Sequence, residues 1–137
     1  MQKSMPAEIS AAYEQIAPDA RPVLLDIRAL LYETVKDHAQ IGPVQEVLKW
    51  GQPSYLSQKA RIGSTLRLGT SKDDGRPTLY INCQSDLMEQ IREIYPSQFH
   101  YAGARAVSLL GDLAEVREAV SHIILMVLTY HIRKARG

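Results

Sequence analysis

Histidine and cysteine side chains are the residues of this chain best suited to bind a transition metal, and their spacing decides whether they can meet. His122 and His131 lie nine positions apart in a predicted helix, and at about 100° per residue they point to opposite sides of it. Cys83 is the only cysteine, so it has no second thiolate with which to build a zinc site. The sequence therefore predicts no metal-ligating residues of this kind.

Carboxylates are harder Lewis bases than thiolates or imidazoles, and they would suit iron as ligands. Asp26, Glu33 and Asp37 follow one another at i, i+7 and i+11 in a predicted helix over residues 20–37, which places them in a narrow arc. This line flanks the apolar stripe of the helix, so we expect it to face water. A solvated charged face explains the line without a metal, and both interpretations stay open.

Catalytic patterns are sparse. A Cys83–histidine pair would make a nucleophile, but Cys83 ends a predicted strand, and lone cysteines are usually buried as small hydrophobic residues. The chain contains no Gly-x-Ser-x-Gly elbow, phosphate-cradling loop or dinucleotide fingerprint. Asp73 and Asp74 belong to a predicted turn. The sequence therefore predicts no catalytic residues and a protein that is not an enzyme.

The helices and strands that must position any site can be predicted from the spacing of apolar residues and from the glycine and proline residues that interrupt it. Helical spacing predicts helices, and alternation predicts strands, with a hairpin turn around Gly75. The helices are expected over residues 6–16, 20–37, 44–50, 86–94 and from Asp112 to near the end, and the strands near 54–57, 64–70, 78–83 and 105–110. This order indicates one α+β domain over residues 1–137, with a mostly antiparallel sheet of three to four strands and helices packed against it.

The most distinctive segment covers residues 46–55, where a predicted helix runs into Trp-Gly-Gln-Pro-Ser-Tyr. Gly51 permits a backbone conformation that a Cβ would forbid, and Pro53 pushes Gln52 toward an extended shape. Trp50 and Tyr55 are then expected to bury flat faces at the seam between helix and sheet. A structural corner explains these residues, and a ligand cleft lined by Trp50 and Tyr55 is the alternative.

This segment resembles the signature of the YdhG-like family, small bacterial domains mostly of unknown function, in which a helix leads into a Trp-Gly-x-Pro-aromatic turn and the first strand. Phe99-His100-Tyr101, Arg105-Ala106-Val107 and Tyr130-His131 also resemble the C-terminal half of that family. The resemblance covers nearly the whole chain and implies the same α+β fold. One branch has been described as frataxin-like iron chaperones, so the resemblance also raises iron as a ligand.

The composition of the chain argues against some classes of binding partner. The 137 residues carry 16 basic and 15 acidic side chains, a net charge of +1, which favours no nucleic-acid partner. The longest apolar run covers residues 123–128, too short for a membrane span. No secretory signal is visible at the N-terminus, and the single cysteine fits a reducing compartment. We therefore expect a cytoplasmic protein with no membrane partner.

These observations predict a non-catalytic binding domain for a small ligand or, by resemblance, iron, with no cofactor identified. The predicted ligand-binding residues are Trp50, Gly51, Pro53, Tyr55 and Arg67. The alternative is an interaction or homodimerisation module. It would act through the last helix, where apolar residues also lie away from the main apolar face. Four arginines on or near the strands would form a weak anion site if the fold brings them together: Arg61, Arg67, Arg76 and Arg105.

Overall fold

Six antiparallel strands form one sheet in the computed structural model, which describes residues 4–82 and 86–136. Five helices accompany it. The elements in chain order are α1 (Ala7–Glu14), α2 (Arg21–Asp37), a 3₁₀ turn (Ala39–Ile41), β1 (Val44–Lys49), β2 (Gln52–Ser57), β3 (Leu66–Thr70), β4 (Pro77–Tyr80), α3 (Leu87–Ile94), β5 (Phe99–Ala102), β6 (Ala106–Leu109), α4 (Leu113–Leu128) and α5 (Tyr130–Arg136). The strand order is β1-β2-β3-β4-β6-β5. The predicted α+β class and antiparallel sheet are confirmed, but the predicted strand number was too low.

The predicted helix over residues 44–50 was wrong, because this segment is strand β1. It pairs with β2 through a two-residue hairpin in which Lys49 faces Gln52 across the turn. Trp50 and Gly51, the central residues, have φ angles of 57° and 75°. Positive φ at both positions is typical of the type I′ turn, whose twist matches the twist of paired strands. The residues that suggested a helix running into a corner are therefore the two arms of a hairpin.

Strand β5 was not predicted at all. It has four residues and pairs with β6, with Phe99 opposite Leu109 and Tyr101 opposite Val107. A strand this short gives only two alternations of apolar and polar residues, too few to stand out in a sequence. Its Phe99 is buried in the core.

The two faces of the sheet differ in the polarity of their side chains. One face carries large apolar residues that are fully or almost fully buried among the helices, such as Tyr55, Leu68, Leu79 and Val107. Helices α1, α2 and α4 contact the strands on this side. Because successive residues of a strand point to opposite faces, the other face receives mostly small or polar residues, among them Gln52, Ser54, Arg67, Gly69, Thr78, Tyr80, Ala106 and Ser108, with the apolar Val47 and Leu56 toward the β1 edge. We call this second side the open face.

The final helix is broken rather than continuous. Helix α4 ends at Leu128 and α5 begins at Tyr130, with non-helical backbone at Thr129. This break rotates α5 relative to α4, and His131 is exposed. Leu128, at the end of α4, is fully buried within the chain itself. Among the described residues, no helix has both the length and the apolar character needed to cross a membrane.

The loop before β3 is locked against the end of α4. The backbone N–H of Ser64 donates to the carbonyl of Val127 at 2.8 Å. A Cβ added at Gly63 would lie 2.0 Å from the carbonyl oxygen of Leu128, so only glycine allows this approach. The contact fixes where β3 starts, and with it the position of Arg67 on the open face.

Candidate ligand-binding site

Two adjoining depressions lie on and beside the open face, next to the β1–β2 turn. They share three lining residues, Trp50, Arg67 and Arg105. The first has a volume of about 240 Å³ and is also lined by Lys49, Thr65, Ile81 and Asn82. The second has a volume of about 340 Å³ and is also lined by Gln52, Lys72 and Tyr80. Small-molecule sites usually have volumes of roughly 300–1,000 Å³, so the second depression lies at the lower end of that range and the first lies just below it.

The sheet brings the shared residues together from a hairpin turn, a strand and the residue that precedes another strand. Trp50 lies at the tip of the β1–β2 hairpin. Arg67 on β3 is directly paired with Tyr80 on β4, and its guanidinium carbon lies 5.8 Å from the centroid of the Tyr80 ring. Arg105 precedes β6, where its carbonyl accepts a hydrogen bond from the backbone N–H of Ile81 at 2.8 Å. Residues distant in the sequence therefore meet because their strands are neighbours.

Small side chains on the open face leave room between these larger ones. A Cβ added at Gly69 would lie 2.5 Å from the side-chain amide nitrogen Nε2 of Gln52. The Gln52 side chain therefore lies across a strand position that has no side chain of its own. Thr78 and Ser108 are buried, and their hydroxyl oxygens lie 2.7 Å apart in a hydrogen bond. These hydroxyls satisfy one another, which leaves recognition to the larger side chains at the rim.

The charged side chains that line the depressions are all positive. Lys49, Arg67, Lys72 and Arg105 line them, and none of these four forms an ion pair within the described part of the chain. No described carboxylate lines either depression. Burial raises the pKa of the Tyr80 phenol, the positive charge of Arg67 opposes that rise, and the charge of Asp73 adds to it. Asp73 is thus a nearby negative charge, and it lies outside the lining.

Two of the four arginines considered from the sequence do converge. Arg67 and Arg105 line both depressions, whereas Arg61 lines neither of them. Arg76 instead pairs with Asp74 at 3.0 Å in the β3–β4 turn. The convergence that an anion site would require therefore occurs for Arg67 and Arg105 and not for Arg61 and Arg76.

The structure separates the five predicted ligand-binding residues. Trp50 is 89% exposed and lines the depressions with Arg67, so its predicted burial was wrong. Tyr55 is fully buried in the core, on the opposite face. Pro53 is also buried in β2, and Gly51 shapes the turn without lining either depression. The predicted wall of Trp50 and Tyr55 was therefore wrong, because the hairpin places these two side chains on opposite sides of the sheet.

Tyr55 belongs instead to a polar network inside the core. Its hydroxyl donates to Glu46 Oε2 at 2.6 Å and lies 2.7 Å from the hydroxyl of Tyr13. Arg28 donates to the same carboxylate through Nε at 2.6 Å and through Nη2 at 3.0 Å. The side chains of Arg28 and Glu46 are only 2% and 6% exposed. We call Tyr13, Arg28, Tyr32, Glu46 and Tyr55 the buried network.

Ionisation in the buried network is set by burial and by partners. Desolvation acts to raise the pKa of Glu46, but hydrogen bonds from Arg28 and Tyr55 outweigh it, so the pKa lies below its usual value. Burial raises the pKa of Tyr32 to about 12, with a further contribution from the charge of Glu46. Burial also raises the pKa values of Tyr13 and Tyr55 well above the ordinary range. The network therefore holds one carboxylate, one guanidinium and three neutral phenols.

Sequence reasoning missed Lys49, Gln52, Lys72 and Tyr80 as lining residues. Lys49 was assigned to a helix, so its place at the end of a strand was hidden. The signal that was available is the two-residue turn containing Gly51, which predicts a hairpin when extended residues flank it. Once β1 is a strand, alternation places Lys49 on the face opposite Glu46.

Metal ligands do not converge in the described residues. No group of three or more histidine, cysteine, aspartate or glutamate side chains able to hold a metal ion occurs there. Asp26, Glu33 and Asp37 are exposed, as expected, and Glu33 forms an ion pair with Arg117 at 3.0 Å. Cys83, the candidate nucleophile, lies outside the described residues. Iron binding stays a prediction that depends on the family resemblance.

The last helices carry a smaller groove. It has a volume of about 160 Å³ and contains apolar and polar lining residues in similar number: Gln40, His122, Leu125, Met126, Thr129, Ile132 and Arg133. Leu125 and Ile132 are half-buried. Self-association through these helices stays a prediction.

A scan against protein-family models, a search of curated proteins and a search of solved structures each found no match to this chain. The likeness to YdhG-like domains is therefore carried only by the sequence motifs, chiefly the Trp-Gly-x-Pro turn. A ligand can therefore be proposed only from the geometry and charge of the open face.

Proposed function

We propose that this protein is a non-catalytic binding domain that holds a small anionic ligand on the open face of its sheet. The observation that carries the proposal is the convergence of four cations, Lys49, Arg67, Lys72 and Arg105, around depressions that no described carboxylate lines. Like charges at close range repel one another. An anion placed between them would relieve this repulsion.

Arginine is well suited to such a role. Its planar guanidinium presents several N–H donors in a fixed fork that matches carboxylate and phosphate groups. Arg67 is held against the ring of Tyr80, which reduces the freedom it would lose on binding. Arg105 is anchored through its backbone bond to Ile81. The Arg67 guanidinium and the exposed Arg105 side chain, which extends from a fixed backbone, are thus available to one anion.

The lining residues support binding rather than chemistry. Their titratable side chains are lysine, arginine and tyrosine, whereas catalysis usually pairs a nucleophile with a nearby base. The phenol of Tyr80 already donates to the carbonyl of Thr70 at 2.6 Å. Its hydrogen bond therefore serves the sheet.

Calorimetric titration with inorganic pyrophosphate at low salt tests the proposal. The wild-type protein should bind, and the double variant Arg67→Gln/Arg105→Gln should bind at least about 10-fold more weakly, since a hydrogen bond to a charged group contributes about 1.5–3 kcal/mol. Affinity of the wild type should fall as salt is added. Arg76→Gln is the matched control, because Arg76 is paired with Asp74 outside the depressions, and it should bind like the wild type.

Two results would reject the proposal. One is the absence of measurable pyrophosphate binding by folded wild-type protein at low salt. The other is equal affinity in the wild type and the double variant, which would place any anion site elsewhere on the molecule.

A further inference from the structure

Trp50 occupies a backbone position that does not favour it. It is the first central residue of the type I′ turn and has a φ of 57°. Asparagine, aspartate and glycine are preferred there, because they adopt positive φ at little steric cost. A bulky side chain at positive φ is an outlier of the kind that points to a functional constraint.

The fold also gains little from the indole ring. Trp50 is 89% exposed, and within the described part of the chain it forms no ring-to-ring or cation–π contact. The neighbouring Gly51 has open space around it. The largest apolar side chain of the protein therefore lies in water, on a backbone that another residue would adopt more readily.

The indole does border the space of both depressions. Trp50 lines them together with Arg67 and Arg105. An aromatic face beside two guanidinium groups can stack on a planar ring while the cations hold an anionic group attached to that ring. Lys49 and Lys72 lie at different depressions, which gives room for an extended negatively charged group.

We propose that Trp50 is a ligand-stacking residue and that the ligand is a nucleotide-like molecule, a planar aromatic ring carrying phosphate. This inference rests on the proposed function and adds the ring to the anion. The two adjoining depressions have volumes of about 240 and 340 Å³, on the scale of a small molecule, and the net charge of +1 does not favour a long nucleic-acid strand. A free small molecule is therefore the ligand to which we commit.

The test compares three probes that differ by one feature. AMP carries ring and phosphate, ribose 5-phosphate carries the phosphate without the ring, and adenosine carries the ring without the phosphate. Because Trp50 is the only tryptophan, its fluorescence reports directly on stacking. AMP should quench it and bind at least about 10-fold more tightly than ribose 5-phosphate, consistent with the contribution of base–aromatic stacking.

A single substitution separates stacking from structure. Trp50→Asn places the residue that the turn prefers, so the melting temperature should stay the same or rise. Measured by calorimetry, its affinity for AMP should fall to that for ribose 5-phosphate, which itself should not change. Trp50→Phe, which keeps a smaller ring, should retain part of the difference.

The failures are distinguishable. Equal affinities of the wild type for AMP and ribose 5-phosphate would overturn stacking while leaving anion binding intact, whereas loss of pyrophosphate binding would remove the proposed function itself. A clear drop in the melting temperature of Trp50→Asn would show that the indole has a structural role. An eight-nucleotide single strand that binds more than about 10-fold more tightly than AMP would replace the small ligand with a strand.

Discussion

Glu46 and Lys49 lie three residues apart on β1 and belong to opposite electrostatic environments. Glu46 points into the core, where Arg28 and Tyr55 donate to it. Lys49 lines a depression on the open face and forms no ion pair in the described part of the chain. One strand therefore contributes to a region where the charges are paired and to another where they are not.

This contrast suggests different roles for charged residues in the two regions: stability in the buried network and, as proposed, ligand binding on the open face. A buried charge without a partner is strongly destabilising, so an incomplete buried network should lower the stability of the chain. Exposed charges contribute little to stability and can stay unpaired. Substitutions in the buried network should therefore change stability without changing anion binding, and substitutions on the open face should do the reverse.

The largest effect is expected from Arg28→Met. It leaves the Glu46 carboxylate buried without its cation, which should lower the free energy of unfolding by about 3–5 kcal/mol. Urea denaturation followed by circular dichroism measures the loss. The double variant Arg28→Met/Glu46→Leu should recover most of it, because a buried ion pair can be replaced by apolar residues at little cost. A single variant as stable as the wild type would contradict the account.

Alkali should act on three tyrosines of the buried network at once. The pKa of Tyr32 is raised from 10.0 to about 12, and those of Tyr13 and Tyr55 are raised further. A raised pKa contributes stability that is fully present below the unfolded pKa of about 10 and is lost as the pH rises through the folded value. The urea midpoint should therefore fall above about pH 10.

The matched control for alkali is Tyr32→Phe, which removes the phenol with the lowest raised pKa of the three. Its urea midpoint should fall less steeply between about pH 10 and about pH 12 than that of the wild type. The same slope in both proteins would show that another group dominates alkaline unfolding.

Tyr55→Phe should have an intermediate effect. It removes the hydroxyl that joins Tyr13 to Glu46 and keeps the ring, so we expect a loss of about 1–3 kcal/mol. Pyrophosphate affinity should be unchanged, because Tyr55 is buried on the other face. Weaker pyrophosphate binding in a folded Tyr55→Phe protein would restore the sequence prediction that this residue is part of the site.

The smallest change in stability is expected from Lys49→Gln. The side chain is exposed and has no ion-pair partner in the described residues, so the unfolding free energy should stay within about 0.5 kcal/mol of the wild type. Pyrophosphate binding should weaken, because one of four cations is lost. A destabilisation as large as that of Tyr55→Phe would mean that this charge has a structural role.

The amphipathic helices could be predicted from sequence because their signal is long. Helix α2 presents a sustained apolar stripe, and its predicted range of 20–37 nearly coincides with Arg21–Asp37. Strand β1 could not be recognised in the same way. Residues 44–49 alternate poorly, since Glu46 lies on the buried face, where a charge hides the pattern that apolar residues would give. The partner that makes this burial tolerable, Arg28, is distant in sequence.

Only part of the candidate site could be predicted, because its geometry also depends on β1 being a strand. Trp50 and Arg67 were selected and do line the depressions, but Tyr55 was added because both aromatic rings of the Trp-Gly-x-Pro-aromatic turn were expected to lie together at the seam between helix and sheet. The β1–β2 hairpin separates Tyr55 from Trp50. This hairpin can be predicted only if β1 is recognised as a strand. The convergence of Arg67 with Arg105 needs the neighbouring positions of β3, β4 and β6, which no local pattern encodes.

The central claim is that anions bind to the open face and not to the core or the helices. Backbone and indole N–H chemical shifts of ¹⁵N-labelled protein, measured by NMR during pyrophosphate titration at low salt, test it most directly. The account predicts saturable shifts centred on Trp50, Arg67 and Arg105, with the signals of α2 and Tyr55 almost unmoved. Shifts centred on α4 and α5, or no saturable shifts at all, would contradict it.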